Sequence, residues 1–120
     1  MTRGDFVLRP AQRVRKSREF ARAQRGARRA HAPHFVLLAS RRGDELPARL
    51  GLIAPRAAGT AVRRTRAKRL VREWFRHAEL PPGVDVLVVV LTGAAELAAS
   101  AAAAELAGCA TRLFGRRPRG

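Results

Sequence analysis

The sequence predicts a small α+β domain, and three observations carry that prediction. Apolar runs of strand length stand at residues 34–40, 48–54 and 84–92. Helical stretches stand at 17–28, 61–78 and 94–114, alternating with the strands. A chain of 120 residues with 47% hydrophobic content is enough for one core and too short for several domains. That core must be built from Leu, Val, Ile and Ala, because there are only five Phe, one Trp and no Tyr.

Each element has its own signal. Residues 1–16 are basic and irregular, with Pro10 as a breaker, and read as an N-terminal arm. Ser17 before Glu19 and Phe20 opens a helix over 17–28 as an N-cap, and Pro33 stops any helix that runs so far. The run HFVLLAS (34–40) is a buried strand, RRGDELP (41–47) a turn centred on Gly43 and Asp44, and ARLGLIA (48–54) a second strand. Residues 34–54 therefore read as a hairpin. Pro55 and Gly59 bracket a loop.

The clearest helix is 61–78. At 100° per residue, Ala67, Leu70, Val71, Trp74, Phe75 and Ala78 fall within an arc of about 140°. Thr65, Arg66, Lys68, Arg69, Arg72 and Arg76 occupy the opposite side. Pro81, Pro82 and Gly83 end that region, and VDVLVVVLT (84–92) is apolar enough to be the central strand. After Gly93 an Ala-rich stretch to 114 reads as a long helix with one face on the sheet. Glu96, Ser100 and Glu105 interrupt it, so it is no membrane span. The whole divides into the arm 1–16, one domain over 17–114 and a basic tail at 115–120.

Charge narrows the function. Lys and Arg total 25 against 9 Asp and Glu, a formal charge of +16. The surplus is confined: residues 1–76 hold 21 basic and 5 acidic residues, and 77–120 hold four of each. Coding bias explains the preference for Arg over Lys but not this asymmetry. A polyanionic partner does, since self-repulsion opposes compaction and arginine grips phosphate bidentately. No signal-peptide core is present, so a soluble, cytoplasmic RNA-binding protein is expected, with no membrane partner.

The block from Arg63 to Arg72 is the densest functional signal. Cations at i, i+3, i+4 and i+7 on one helix match successive phosphates, and only Glu73 on that helix offers neutralisation. Phe20 reads equally as a base-stacking aromatic or as core, whereas Phe35 reads as core. His31 and His34 lack a third ligand nearby, so they do not make a zinc site. His77 with Lys68 does not amount to an acid/base centre. The single Cys109 excludes an intrachain disulfide. Phosphate loops and nucleophile elbows are missing, and carboxylates are too sparse for a two-metal nuclease centre.

The order of these motifs over residues 13–115 resembles the protein subunit of bacterial ribonuclease P. The resemblance runs through Arg15-Lys16-Ser17-Arg18-Glu19-Phe20, Phe35-Val36-Leu37-Leu38, Arg49-Leu50-Gly51-Leu52 and Leu80-Pro81-Pro82-Gly83-Val84-Asp85. Its most specific part is Gly59-Thr60-Ala61-Val62-Arg63-Arg64-Thr65-Arg66-Ala67-Lys68-Arg69-Leu70-Val71-Arg72-Glu73. It implies a two-layer sandwich of about four strands and three helices with a left-handed βαβ crossover, against the usual hand. It also implies an accessory role. The RNA subunit holds the catalytic centre and most of the Mg2+, and the holoenzyme removes the 5′ leader of precursor tRNA. No stable protein partner is implied.

Carried over by position, Arg56, Arg64, Thr65, Arg66, Lys68, Arg69 and Arg72 fall on the surface for the RNA subunit. Phe20, Gln24, Val36 and Leu38 fall on the cleft for the leader. Thr65 replaces the signature's Asn, keeping a hydroxyl but losing the amide's paired donor and acceptor. Gln24 and Leu38 stand where the family carries aromatics, and Arg56-Ala57 where it carries Lys-Lys, so leader binding leans on Phe20 and charge. Two other classes compete: a ribosome-associated RNA-binding module, equally suited to the charge asymmetry, and a protein-only nuclease, for which the sequence offers no catalytic set.

Overall fold

The computed structural model describes residues 28–115. Its elements are β1 (Arg28–His31), β2 (Phe35–Arg41), β3 (Arg49–Ile53), α1 (Ala61–His77), β4 (Val84–Val90) and α2 (Ala99–Phe114). Short 3-10 turns stand at Arg56–Ala58 and Ala94–Glu96. The helix expected at 17–28 lies outside the described residues except for Arg28, which opens β1. Of the three helices expected, the described residues contain two.

The four strands form one mixed sheet in the order β1-β2-β4-β3. β2 pairs antiparallel with β1 and β4, and β3 runs parallel to β4. The expected 34–54 hairpin is therefore corrected: β4 lies between β2 and β3. The reason is in β4 itself, where six of seven residues are buried and both faces need covering, so it takes the interior position. The Gly43-Asp44 turn carries the chain across the end of the sheet instead, and α1 makes the crossover from β3 to β4.

β1 is the other departure. Its sequence, RRAH, has one buried residue, Ala30, between exposed Arg28, Arg29 and His31. Among the described residues it is an edge strand of four residues paired on one side, and charged side chains of this kind discourage pairing with another chain. Its hydrophobic content was too small to announce it.

One face of the sheet carries Ala30, Phe35, Leu37, Leu50, Val84, Val86, Val88 and Val90 into the main core. From α1 come Ala67, Val71, Trp74 and Phe75, four of the six residues in the predicted arc, with Leu70 and Ala78 partly buried beside them, and from α2 come Ala102, Leu106, Cys109 and Leu113. Trp74 and Phe75 meet edge to face at 6.3 Å between ring centroids. Phe35 is fully buried, as its core reading required.

The long C-terminal helix begins at Ala99 and not at 94. Gly93, at φ +91°, turns the chain into the Ala94–Glu96 3-10 turn, which buries Ala94 and Ala95 against α1. Leu97 and Ala98 are then extended. Ala-rich composition favours helix throughout, but packing of the turn overrides it. Before β4, Gly83 at φ +77° is a position only glycine fits: an added Cβ would stand 2.1 Å from the Asp44 carbonyl oxygen.

Candidate nucleic-acid interface

Helix α1 is fixed at its start by Thr60, whose hydroxyl accepts from the Arg63 amide at 3.2 Å. Its buried stripe then determines where each cation points. Arg66 and Arg69 are exposed on the side toward α2, together with Thr65. Arg66 is anchored by its Nε, which donates to the Ala95 carbonyl at 2.7 Å. Arg63 reaches Glu96 at 3.4 Å. On the other side, Arg64 is drawn inward: its guanidinium donates to the Ala54 carbonyl at 3.3 Å, and its Nε is buried without an acceptor. Lys68 and Arg72 are half-buried, and Arg56 is exposed in the preceding 3-10 turn. Glu73 is engaged by Arg76 at 2.9 Å and His77 at 3.2 Å.

The seven residues assigned to the RNA-subunit surface thus divide. Arg64 serves largely to dock α1 onto the end of β3, whereas Arg66 and Arg69 present charge outward. A guanidinium held by one nitrogen and open at the other end is positioned to grip an anion with little loss of side-chain freedom.

The outer face of the sheet carries Val36 and Leu38, two of the four residues of the second expected surface. Register aligns Arg29, Leu38, Leu87 and Gly51 in one row across the strands. His31, Val36, Val89 and Ile53 form the next. Leu38 and Leu87 are closed off at 5% and 0% exposure, while Val36, Val89 and Ile53 are partly open and His31 is exposed. Of the expected cleft residues, Val36 is therefore reachable and Leu38 is covered; Phe20 and Gln24 lie outside the described residues. Val89 and Ile53 are not singled out by the sequence, and His31 is weighed there only as a metal ligand. β4 reads as one continuous apolar run, so only the strand register reveals which of its side chains share a row with Val36.

Two polar clusters hold these surfaces in place, and the sequence announced neither. At the end of the sheet, buried Asp85 accepts from Arg42 at 2.8 Å and from Arg49 at 2.7 and 2.9 Å. Arg42 also binds Asp44 and the carbonyls of Leu46, Pro47 and Val84. Burial alone would raise the Asp85 carboxyl, but the hydrogen bonds from Arg49 and then Arg42 outweigh it and hold the group below the usual carboxylate range. The Arg42 side chain likewise lowers Asp44.

At the other end, Glu105 of α2 accepts from the His34 amide at 3.0 Å and contacts the His34 ring at 2.7 Å. Arg112 donates to the His31 carbonyl at 2.5 Å. These contacts tie the β1–β2 connection to α2. His34 is thereby engaged by Glu105, whereas His31 is exposed. Burial pushes the Cys109 thiol up, and the side chain is wholly enclosed in the core. No group of three His, Cys, Asp or Glu side chains is assembled among the described residues. Asp44, Asp85, Glu73, Glu96 and Glu105 are each engaged by Arg or His. This donor set does not fit a protein-held Mg2+.

Fold and site together define a small α+β protein that projects a cationic helix beside a mixed four-stranded sheet. Comparison with known proteins makes this specific. The Ribonuclease P family model matches residues 8–114. The ribonuclease P protein component of Syntrophobacter fumaroxidans is 37% identical over 99 residues, covering 79% of this chain and 82% of its own. That of Bordetella petrii is 43% identical over 88 residues, covering 68% and 72%. The solved ribonuclease P protein of Thermotoga maritima superposes with a TM-score of 0.75 at 28% identity, covering 86% of this chain and 98% of that one. The chain belongs to the ribonuclease P protein family.

Proposed function

We propose that this protein, as the protein component of ribonuclease P, docks the RNA subunit through α1 and holds the 5′ leader of precursor tRNA on the outer face of its sheet. Family membership makes it one part of an endoribonuclease that matures the 5′ end of tRNA, in partnership with an RNA subunit. The observation that carries the finer reading is the outward set of cations on α1, with Arg66 preset on the Ala95 carbonyl. The partly open row of Val36, Val89 and Ile53, with His31 at its edge, supports the leader assignment. In this reading catalysis and the Mg2+ that supports it belong to the RNA, and five of the described carboxylates, Asp44, Glu73, Asp85, Glu96 and Glu105, are held by arginine or histidine. The protein's part is to offset repulsion between two RNAs and to bring the leader into line. Its place of action is the cytoplasm.

Precursor tRNA cleavage at low Mg2+ tests this, with RNA subunit alone, protein alone and both. Cleavage at the mature 5′ end only with both is the expected result. No gain from the protein would return the chain to an RNA-binding module of another assembly, and cleavage by the protein alone would make it the nuclease.

A further inference from the structure

The cationic side of α1 is not a plain charged surface, because a groove of about 740 Å3 runs between it and the start of α2. That volume lies within the roughly 300–1,000 Å3 of small-ligand sites. Its walls include Ala61, Val62, Leu70 and Ala99, and Arg66 and Arg69 line it too. Val62 is 79% exposed, one of two large hydrophobic side chains so placed in the described structure. Contact with phosphates alone asks nothing of an exposed valine. An apolar wall edged by arginines has the character of a site for a planar ring attached to an anionic chain.

From this we propose that the groove receives one unstacked nucleotide of the RNA subunit. The base or ribose lies on Val62, Ala61 and Leu70, and the flanking phosphates meet Arg69 and the open end of Arg66. Glu73 lines the far part of the groove. Its carboxylate, already oriented by Arg76 and His77, is an acceptor for the amino or imino group of a base and repels a phosphate placed there. The groove therefore has a polarity, with phosphates toward Arg66 and Arg69 and a base edge toward Glu73. This assignment rests on the reading that α1 docks the RNA subunit, and it adds an insertion pocket to what is otherwise charge attraction.

The test measures the affinity of the full chain for ribonuclease P RNA as a function of salt, for Val62→Ser, Val62→Ile and Arg69→Ala. Val62 is exposed, so neither substitution at this site disturbs the core, and thermal melts of the free protein check that. Insertion predicts that Val62→Ser weakens binding roughly tenfold through lost apolar burial. The salt slope stays unchanged, and Val62→Ile keeps wild-type affinity. Arg69→Ala should flatten the slope by about one. If Val62→Ser binds like wild type while Arg69→Ala weakens binding, the groove is empty in the complex and the proposal is overturned. In that case the docking role of α1 stands. If both variants bind like wild type, the docking role of α1 fails together with the insertion.

Discussion

Asp85 sits on β4 between Arg42 and Arg49 with its carboxylate almost wholly removed from water. It joins β4, β3 and the 42–47 connection in one hydrogen-bonded cluster, so its removal takes a shared buried acceptor from both guanidiniums, although Arg42 keeps Asp44 and three carbonyls. Asp85→Asn should cost about 2–3 kcal/mol at neutral pH, below the roughly 3–5 of a fully buried broken pair, because Arg49 can partly rehydrate. The pH dependence has a definite sign. The folded-state carboxyl is depressed, so its contribution is complete above the unfolded value near 4 and is lost as pH falls through the folded value. Urea melts at pH 7 and in steps below pH 4 should show the gap between wild type and Asp85→Asn narrowing with acid. A constant gap would assign the loss to packing. At Gly83, alanine would have to hold a positive φ and push the Asp44 carbonyl aside. A loss of several kcal/mol, of the order of about 3 or more, is expected for Gly83→Ala, and an unchanged melt would show that the turn relaxes freely.

Elements differed in how much of them could be read from the chain. Helix α1 was legible because its period is strict and its faces contrast in charge; the buried set Ala67, Val71, Trp74 and Phe75 follows from spacing alone. β4 was legible as central because a continuous apolar run has nowhere else to go. The pairing of β2 was not, since Gly43-Asp44 looks like a hairpin turn until the needs of β4 are counted. β1 lacked any hydrophobic signal. The start of α2 was masked by alanines that favour helix on both sides of the true boundary. Within the site, the cations of α1 were found by sequence, but their division into inward Arg64 and outward Arg66 and Arg69 depends on the neighbouring Ala54 and Ala95 carbonyls, which no spacing rule supplies. The late start of α2 has a consequence of its own. Its N-cap is Ala98, in extended conformation and with no side-chain acceptor for the first amides. Ala98→Ser or Ala98→Asp should stabilise the fold by about 1 kcal/mol. The aspartate carries the larger gain at low ionic strength through the helix dipole. No gain from either would mean that the first turn of α2 already has another acceptor.

For the molecule as a whole the governing fact is a charge of +16 on 120 residues, with the basic surplus carried by residues 1–76. Internal acids meet only part of it: Asp85, Asp44, Glu73, Glu96 and Glu105 engage Arg42, Arg49, Arg63, Arg76 and His34. Arg28, Arg29, Arg41, Arg56 and Arg69 stand exposed on the surface. Repulsion among such cations works against the compact state, and any polyanion that binds the folded form offsets it. A small multivalent anion should reproduce part of that relief. Sulfate and chloride matched for ionic strength separate two effects, since both screen charge alike but sulfate also occupies sites formed by neighbouring arginines. A concentration tenfold above the sulfate dissociation constant would add about 1.4 kcal/mol. For a domain of this size that corresponds to a rise in Tm of roughly 5–10 °C. Arg66→Ala and Arg69→Ala should each reduce the sulfate-specific part while leaving the chloride response in place. Equal melting temperatures in the two salts would show that screening alone matters, and that the outward cations act as a diffuse field, with no discrete phosphate positions before the RNA arrives.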